Sequence, residues 1–282
     1  MGWSWPWPAR LLGAGVTHPP NGSLDSGGPG PDGPYLLPRS RQEQRRLELQ
    51  HFALRQLLGS SFLAPVQQPT SILDVGAGTG IWLREAAHRW PQAQLVALDK
   101  DLSLLRWPLP ARCRAVQADL LTGHPFPAGQ FSYVHQRLLA AAIPTIPITA
   151  WPAVLCNLLR VTAPGGWLEL VEATGQVLHE GPHHQQARTW FEALAVRRGL
   201  QLDAPPHLPV WLRALGLEPV VHSFVAPLSG RRYGAPLFQQ DLLASVNQVP
   251  LEQIEQTLAA LPVEREQYQT GCGGMAVWGQ HP

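Results

Sequence analysis

The sequence predicts an α/β fold in which helices cover both faces of a largely parallel sheet. Three observations indicate it. Short apolar segments alternate with helical segments between residues 71 and 171, a pattern typical of parallel strands joined by helices. A glycine-rich turn joins the first of these strands to the next helix, and aspartates lie at or just after the ends of consecutive strands.

The composition is that of a globular protein with little net charge. Of the 282 residues, 45% are hydrophobic, and the formal net charge is +1. The hydrophobic fraction excludes disorder throughout the chain, and the charge argues against nonspecific nucleic-acid binding, which needs a basic surface. The length permits one domain or two, and the continuous series of elements favours one.

The cysteines and the N-terminal residues predict a cytoplasmic location. The three cysteines are far apart and offer neither a disulfide framework nor a metal knuckle, so a reducing compartment is expected. Pro6 and Pro8 make the N-terminus a poor signal peptide. The uncharged run Leu138–Leu159 is long enough to cross a bilayer, but its three prolines favour a buried loop followed by a helix. We therefore expect no membrane partner.

The first helix is predicted after a leader rich in proline and glycine. Residues 1–34 contain seven prolines and eight glycines, which is typical of a flexible segment. Ser40 is a suitable N-cap for a helix that runs to Leu58 and ends before Gly59. The apolar stripe of this helix consists of Leu47, His51, Leu54 and Leu58, at helical spacing.

The remaining elements follow from apolar runs and turn residues. The predicted strands are Ser71–Val75, Leu95–Leu98, Cys113–Gln117, Phe131–Val134, Trp167–Val171, Val220–Val225 and Met275–Trp278. The predicted helices are Ile81–Trp90, which Pro91 ends, a short one at Leu102–Trp107, and Pro152–Val161. Pro164-Gly165-Gly166 forms the turn before the fifth strand, and helical patterns also cover residues 184–198, 207–215 and 238–261.

A glycine-rich loop, Gly76–Gly80, follows the first strand. Its glycines permit close approach of a ligand to the backbone and dihedral angles that other residues avoid. The free amides of the following helix favour a polar or anionic group. A dinucleotide-binding fingerprint would place glycine or alanine where this chain has Ile81, which disfavours a nicotinamide cofactor.

Two acids after later strands strengthen the prediction of a nucleoside site. Asp99 lies 19 residues after Gly80, at the end of the second strand, where a carboxylate can accept hydrogen bonds from two ribose hydroxyls. Asp119 follows the third strand and can accept one from an adenine amino group. Each aspartate alone is equally suited to capping a helix or a turn, but their occurrence after consecutive strands favours ligand binding.

Together, Asp74–Gly80, Asp99, Asp119 and Pro164-Gly165-Gly166 resemble the motifs of class I S-adenosylmethionine-dependent methyltransferases. The resemblance covers about residues 70–282 and implies a Rossmann-like sheet of seven strands in the order 3-2-1-4-5-7-6, with the seventh strand antiparallel. Tyr35, the segment from Glu43 to His51, and Phe131–Arg137 resemble more narrowly a branch that includes fungal regulators of secondary metabolism and trans-aconitate-type methyltransferases. Lys100-Asp101-Leu102-Ser103 departs from the Ser-Pro turn usual in the fungal proteins.

The resemblance implies S-adenosyl-L-methionine as the cofactor and assigns residues to it. The implied cofactor-binding residues are Tyr35, Gln50, Asp74, Gly76, Ala77, Gly78, Gly80, Asp99, Lys100, Asp119, Leu120 and His135. Residues 35–65 would form a helical lid, residues 66–282 the methyltransferase domain, and an insertion near 176–216 the roof of the acceptor pocket.

Five residues are candidates for catalysis or substrate contact, each with a structural alternative. The resemblance places His135 close to the reactive methyl group, although a histidine hydrogen-bonded at a strand end would fit equally. His51 is either a substrate contact or a core histidine, and Arg137 either orients an anionic substrate or forms a structural ion pair. Trp190 and Trp211 either line the acceptor pocket or pack in the core.

The segment His179-Glu180-Gly181-Pro182-His183 matches the H-E-x-x-H zinc motif. That motif binds zinc when both histidines lie on one face of a helix. Gly181 and Pro182 would break such a helix, so we expect no metal.

We therefore expect an enzyme that transfers a methyl group from S-adenosylmethionine to an O, N or C nucleophile of a small metabolite by in-line displacement. The sulfonium is an excellent leaving group, so neither a covalent intermediate nor a metal is required. Two alternatives remain open at this point. One is a regulatory protein that binds the cofactor but acts through partners, and the other is a nicotinamide-dependent oxidoreductase.

Overall fold

The computed structural model describes residues 40–122, 125–140, 143, 150–200, 202–229, 244 and 246–282. The predicted leader, residues 1–34, and Tyr35 lie outside the described residues. The described part contains a seven-stranded sheet in the order β3-β2-β1-β4-β5-β7-β6. Strands β1 to β5 pair in parallel, and β7 is antiparallel to both of its neighbours. The predicted fold class and strand order are confirmed.

The strands occupy the predicted places. Strands β1 and β3 have the predicted bounds, and the other five are longer than predicted. They are β1 Ser71–Val75, β2 Gln94–Asp99, β3 Cys113–Gln117, β4 Phe131–Arg137, β5 Thr162–Leu178, β6 Val220–Pro227 and β7 Gly271–Gln280. The prediction for β5 is too short, because this strand continues past Val171 and pairs with β7 as far as Leu178. The extension carries β5 over the carboxyl ends of the parallel strands.

Six helices are described. They are α1 Arg41–Leu58, α2 Ile81–Arg89, α3 Ala150–Val161, α4 Pro182–Arg197, α5 Leu208–Ala214 and α6 Leu251–Tyr268. Residues Leu102–Leu104 form a single 3₁₀ turn instead of the predicted short helix. The prediction of a last helix at 238–261 agrees with α6 only in part, because residues 248–250 are not helical and α6 continues through Pro262, whose side chain is exposed. Residues 238–243 and 245 of this prediction lie outside the described residues.

The sheet separates two apolar clusters. Ile72 and Leu73 are neighbours in β1, and both are completely buried. Since successive side chains of a strand point to opposite faces, Ile72 packs with Trp82 of α2, whereas Leu73 belongs to the cluster that contains Leu155 of α3. Among the described residues, no helix is long and apolar enough to span a membrane.

Helix α1 has the local signals that its sequence predicts. The Ser40 hydroxyl accepts a hydrogen bond from the Glu43 amide at 3.2 Å, and Gly59 ends the helix at a φ of 74°. The Gln44 side chain donates to the Leu104 carbonyl at 3.0 Å, and Arg55 forms an ion pair with Glu85 of α2. These contacts hold α1 over the carboxyl ends of the first strands.

Candidate active site

The loop from β1 to α2 is built by three glycines in the left-handed region. The φ angles of Gly76, Gly78 and Gly80 are 70°, 54° and 74°. The amides of Gly76 and Ala77 donate to the Leu98 carbonyl at 2.8 and 3.1 Å, which fixes the loop to the end of β2. Residues other than glycine would be strained in this conformation, so the loop can follow this path only with glycines at these positions.

Asp99 is held by the glycine loop. Its Oδ2 accepts a hydrogen bond from the Gly78 amide at 2.9 Å, and its Oδ1 accepts one from the Asp101 amide at 3.1 Å. Burial raises the pKa of this carboxyl group above its usual range. Each carboxylate oxygen has a second lone pair, so Asp99 can accept one further hydrogen bond on each oxygen.

Asp119 forms an ion pair with Lys100. The Lys100 Nζ lies 2.7 Å from Asp119 Oδ2, and the Leu121 amide donates to Asp119 Oδ1 at 2.9 Å. The neighbouring Leu120 is buried beside them. These residues form the β2–β3 end of the site.

His135 lies in β4 between two carboxylates. Its Nδ1 is 2.8 Å from Asp74 Oδ1, and its Nε2 is 4.0 Å from Glu169 Oε1. The ring stacks on Trp82 with centroids 3.9 Å apart and an interplanar angle of 3°. The residue is only 1% exposed, so its ring is fixed in one orientation.

Arg137, at the end of β4, connects the sheet to α1. Its guanidinium donates to His51 Nδ1 at 2.8 Å, and His51 Nε2 lies 3.3 Å from Glu85 Oε1. An arginine can only donate, so Nδ1 accepts and the His51 ring is neutral. Burial, followed by the positive charge of Arg137, lowers the pKa of His51 to about 4.

These elements surround a cavity of about 860 Å³. One end is formed by the glycine loop, Asp99 and Asp119, and α1 covers it with Leu47 and Gln50. The other end is formed by α4, α6 and the antiparallel strands, with Phe191 and Phe224 in its wall. The cavity therefore joins a polar end at the parallel strands to an apolar end beneath α4.

The comparison with family models identifies residues 41–223 as a match to the methyltransferase domain. The matched segment covers well over half of the chain. The chain belongs to the methyltransferase-domain family. This confirms the resemblance to a methyltransferase that the glycine loop and the aspartates indicated.

Several curated relatives of this chain are fungal proteins. A methyltransferase of Strobilurus tenacellus is 37% identical over 48% of this chain and 47% of its own length, and one of Aspergillus terreus is 30% identical over 70% of this chain and 61% of its own length. The chain thus matches less than two thirds of either relative. An N-methyltransferase of Leptosphaeria maculans is 32% identical over 72% of this chain and 73% of its own length.

A solved structure supports the fold. The crystal structure of a candidate methyltransferase from Bacillus halodurans aligns with a TM-score of 0.51 over 84% of this chain and 98% of its own length. At 18% identity, this likeness concerns the fold alone.

The cavity wall contains most of the predicted cofactor residues. Those in the wall are Gln50, Asp74, Gly76, Ala77, Gly78, Asp99, Lys100, Asp119, Leu120 and His135. Gly80 is not part of the wall and instead caps α2. The remaining hydrogen-bond capacity of Asp99 and the lack of a side chain at Gly78 fit a nucleoside-containing cofactor.

Three of the predicted substrate contacts lie outside the cavity wall. His51 is fully buried, which agrees with the alternative interpretation as a core histidine. Trp190 packs in the cluster with Ile254, and Trp211 packs against Trp151 with centroids 6.5 Å apart. Only Arg137 of the predicted set reaches the cavity wall.

Glu172 is a cavity residue that the sequence interpretation missed. Its carboxylate accepts hydrogen bonds from the Leu139 amide at 2.8 Å, the Ala140 amide at 3.1 Å and the Gln136 side chain at 3.2 Å. Burial raises its pKa to about 7. A charged residue directly after the apolar end of a parallel strand was the signal available in the sequence.

His179 and His183 do not share a helix. Helix α4 begins at Pro182, and His179 precedes it with a φ of 52°. The His183 ring instead contacts Glu264 of α6 at 2.7 Å. The H-E-x-x-H spacing therefore has no helical geometry here.

Proposed function

We propose that this protein transfers a methyl group from S-adenosylmethionine to an O, N or C nucleophile of a small metabolite by in-line displacement. One observation carries the proposal: a single cavity connects the glycine loop and its acids to an apolar region beneath α4. Both reactants can therefore occupy one enclosed space, which favours the alignment that displacement requires.

The polar end of the cavity provides the groups that would hold the cofactor. Gly76, Ala77 and Gly78 border the methionine part, Asp99 accepts hydrogen bonds from the ribose, and Asp119 accepts one from the adenine amino group. Lys100 balances the charge of Asp119 through their ion pair. When bound, the cofactor supplies a methyl group on a positively charged sulfur.

Helix α1 serves as a lid in this proposal. Leu47 and Gln50 face the cavity, and Arg46 is fixed beside them by two hydrogen bonds to Glu43 at 2.7 and 2.8 Å. Covering the cavity excludes water from the reacting groups. The predicted bounds of the lid and of the roof, 35–65 and 176–216, are kept in this proposal, with residues 35–39 and 201 outside the described part of the chain.

The need for a base depends on the acceptor. A carboxylate is already deprotonated and reacts as it stands, whereas a hydroxyl, an amine or a carbon acid must transfer a proton to an acceptor. His135 and Glu172 are the histidine and the glutamate nearest the strand ends in the cavity wall. His135, held by Asp74 and Trp82, is the proposed catalytic residue for such acceptors. Because the Leptosphaeria maculans relative is named an N-methyltransferase, amines belong among the acceptors tested.

A regulatory role is the second candidate. A relative in Coprinopsis cinerea, named a secondary metabolism regulator, is 27% identical over 64% of this chain and 48% of its own length. Such a protein would bind the cofactor but act through partners, so turnover distinguishes the two candidates.

Calorimetry with S-adenosylmethionine and with NAD tests the proposal. We expect binding of the first only, and an affinity reduced about tenfold or more in Asp99→Asn. Asp203→Asn, at an exposed position, is the matched control and should bind normally. Absence of S-adenosylmethionine binding would overturn the methyltransferase proposal, and binding of NAD would favour the oxidoreductase.

Turnover is measured as release of S-adenosylhomocysteine over a panel of amines, phenols, carboxylic acids and soft carbon acids. Methylation of any member supports the enzyme. Tight cofactor binding without turnover across the whole panel would favour the regulatory candidate.

A further inference from the structure

Arg265 of α6 is a buried arginine in the wall of the cavity. Only 7% of the residue is exposed. Its Nε is buried without a hydrogen-bond partner, and within the described ranges no ion pair or side-chain hydrogen bond reaches its guanidinium. Because a guanidinium carries five N–H donors and a permanent charge, this is a costly arrangement unless a ligand completes it.

Glu264, the buried one of the two glutamates adjacent to Arg265 in the sequence, is occupied elsewhere. Its two oxygens accept hydrogen bonds from the amides of His183 and His184 at 2.9 and 2.7 Å, at the N-terminus of α4. Its Oε2 is also 2.7 Å from His183 Nδ1. Glu264 therefore fixes α6 against α4, and although its negative charge acts on Arg265, none of its hydrogen bonds reaches the guanidinium.

The two glutamates in the cavity wall, Glu172 and Glu192, are also engaged. Glu172 accepts from two backbone amides and from Gln136. Glu192 accepts from Arg188 at 2.7 Å, and Arg188 bonds Glu180 as well. Arg188 therefore has two acidic partners, whereas Arg265, in the same wall, has none within the described part of the chain.

The residues around Arg265 indicate the chemical character of the rest of the ligand. The wall at this end includes Phe224, Ala226 and Leu228 of β6 and the residues after it, and Cys272 and Gly274 of β7. It also includes His184, Arg188 and Glu192 of α4, and these three are hydrogen-bonded to Glu180 or to each other. Burial lowers the pKa of Arg265, in keeping with a guanidinium removed from water. A planar, weakly hydrated guanidinium in an apolar wall is well suited to a carboxylate.

We infer that the methyl acceptor is an apolar small molecule that carries a carboxylate, and that Arg265 binds this carboxylate. The inference rests on the proposed function, since it assigns the apolar end of the cavity to the acceptor. Arg265 is then a specificity-determining residue, and Glu264 is a positioning residue that keeps α6 against the roof.

The test compares two probes of nearly equal shape, 2-naphthylacetate and 2-naphthylacetamide. Each is titrated into the full-length protein saturated with S-adenosylhomocysteine. We expect the acid to bind about tenfold or more tightly than the amide, and this preference to disappear in Arg265→Gln. Arg265→Lys, which keeps the charge but loses the planar fork, should retain part of it. Arg213→Gln, an exposed arginine of α5, is the charge-matched control and should bind as the wild type does.

The outcomes separate this inference from the proposed function. If S-adenosylhomocysteine binds but the wild type does not prefer the acid, or binds neither probe, the inference is overturned and the proposed function stands. If S-adenosylhomocysteine does not bind, the proposed function is overturned, and the inference that rests on it is overturned as well. If Arg265→Gln does not fold, the comparison of the wild type with Arg265→Lys decides: an undiminished preference in Arg265→Lys would contradict recognition by the guanidinium.

Discussion

Gly78 and Gly59 share a backbone conformation but lie in different places. Their φ angles are 54° and 74°, and neither would have a Cβ closer than 3.6 Å to another atom. Alanine at either position would therefore destabilise the fold by about 1–2 kcal/mol through the left-handed conformation alone. Gly78 also faces the cavity and donates its amide to Asp99. We expect Gly78→Ala to weaken S-adenosylhomocysteine binding about tenfold or more.

Gly59→Ala is the matched control, because Gly59 ends α1 outside the cavity. Urea unfolding should show similar losses of stability for the two variants, and calorimetry should show a loss of affinity in Gly78→Ala only. Equal affinities in both variants would contradict a ligand-binding role for the loop.

His51 makes stability depend on pH. Its pKa is about 4 in the folded protein, against 6.5 for the free side chain. The folded state therefore binds fewer protons than the unfolded chain in this interval, so the stabilisation is complete above pH 6.5 and is lost as the pH falls towards 4. Between pH 7 and pH 5 the loss amounts to about 2 kcal/mol.

Urea unfolding at the two pH values checks this contribution. The unfolding free energy of His51→Gln should decrease less than that of the wild type, by the amount attributed to His51, since glutamine does not titrate. His88→Gln, at an exposed position of α2, should retain the wild-type decrease. If the unfolding free energy of His51→Gln fell as much as that of the wild type, other groups would account for the acid sensitivity.

Residue roles could be predicted from the sequence where they depend on local spacing. Asp99 and Asp119 follow their strands directly, so an ordered series of strands is enough to place them at the same edge of the sheet. Arg265 has no such signal, because its lack of a partner follows from contacts between Glu264 and α4, about 80 positions earlier. Contacts between distant segments decide such roles, and a single sequence does not reveal them.

At the scale of elements, Glu264 joins two helices of the roof. Helix α4 has Gly181 as its N-cap and no side-chain cap of its own, and the Glu264 carboxylate accepts two of its first amides. We expect Glu264→Ala to destabilise the protein by about 1–2 kcal/mol, as loss of an N-cap does. Gly181→Ala should have a similar effect, because the added Cβ would clash with the side chain of Glu264 and displace its carboxylate.

Glu266→Ala, two residues further along α6 and exposed, is the control for these variants. Its unfolding free energy should stay within about 0.5 kcal/mol of the wild type, as for most surface substitutions. A loss in Glu266→Ala equal to that in Glu264→Ala would show that helix propensity, and not the cap, accounts for the effect.

The elements themselves were predictable to different degrees. The parallel strands are buried apolar runs between turn residues, and their predicted bounds agree closely with the structure. The length of β5 was not predictable, because its last residues are strand only through pairing with β7, about a hundred positions later. Helix α6 was predicted to end too early because Pro262 is a helix breaker in isolation, whereas tertiary contacts with α4 support the helix here.

At the scale of the whole molecule, the sheet supplies only the floor of the cavity. Helix α1 covers one end through Leu47 and Gln50, and α4 and α6 cover the other through Phe191 and Arg265. The cavity therefore exists only when segments from both ends of the described chain pack against the sheet. Ligand binding should accordingly depend on α1 as strongly as on the glycine loop.

Removing N-terminal segments tests this dependence and the proposed boundary of the lid. A chain lacking residues 1–34 should bind S-adenosylhomocysteine with unchanged affinity and unfold at the same urea concentration. A chain lacking residues 1–58 loses the buried side chains of His51, Ala53 and Leu54, of which Leu54 alone corresponds to about 1.5–3 kcal/mol. It also loses Leu47 and Gln50 from the cavity wall, so its affinity should fall about tenfold or more.

Calorimetry and urea unfolding of both shortened chains distinguish a lid from a helix that merely stabilises the fold. If affinity fell only in proportion to the unfolded fraction of the shorter chain, α1 would be a stabilising helix without a part in binding. The substitution Gln50→Ala separates the two possibilities further, because Gln50 is half-buried in the cavity wall and forms no hydrogen bond with the described residues. Weaker binding of S-adenosylhomocysteine at wild-type stability in this variant is the result that a lid requires.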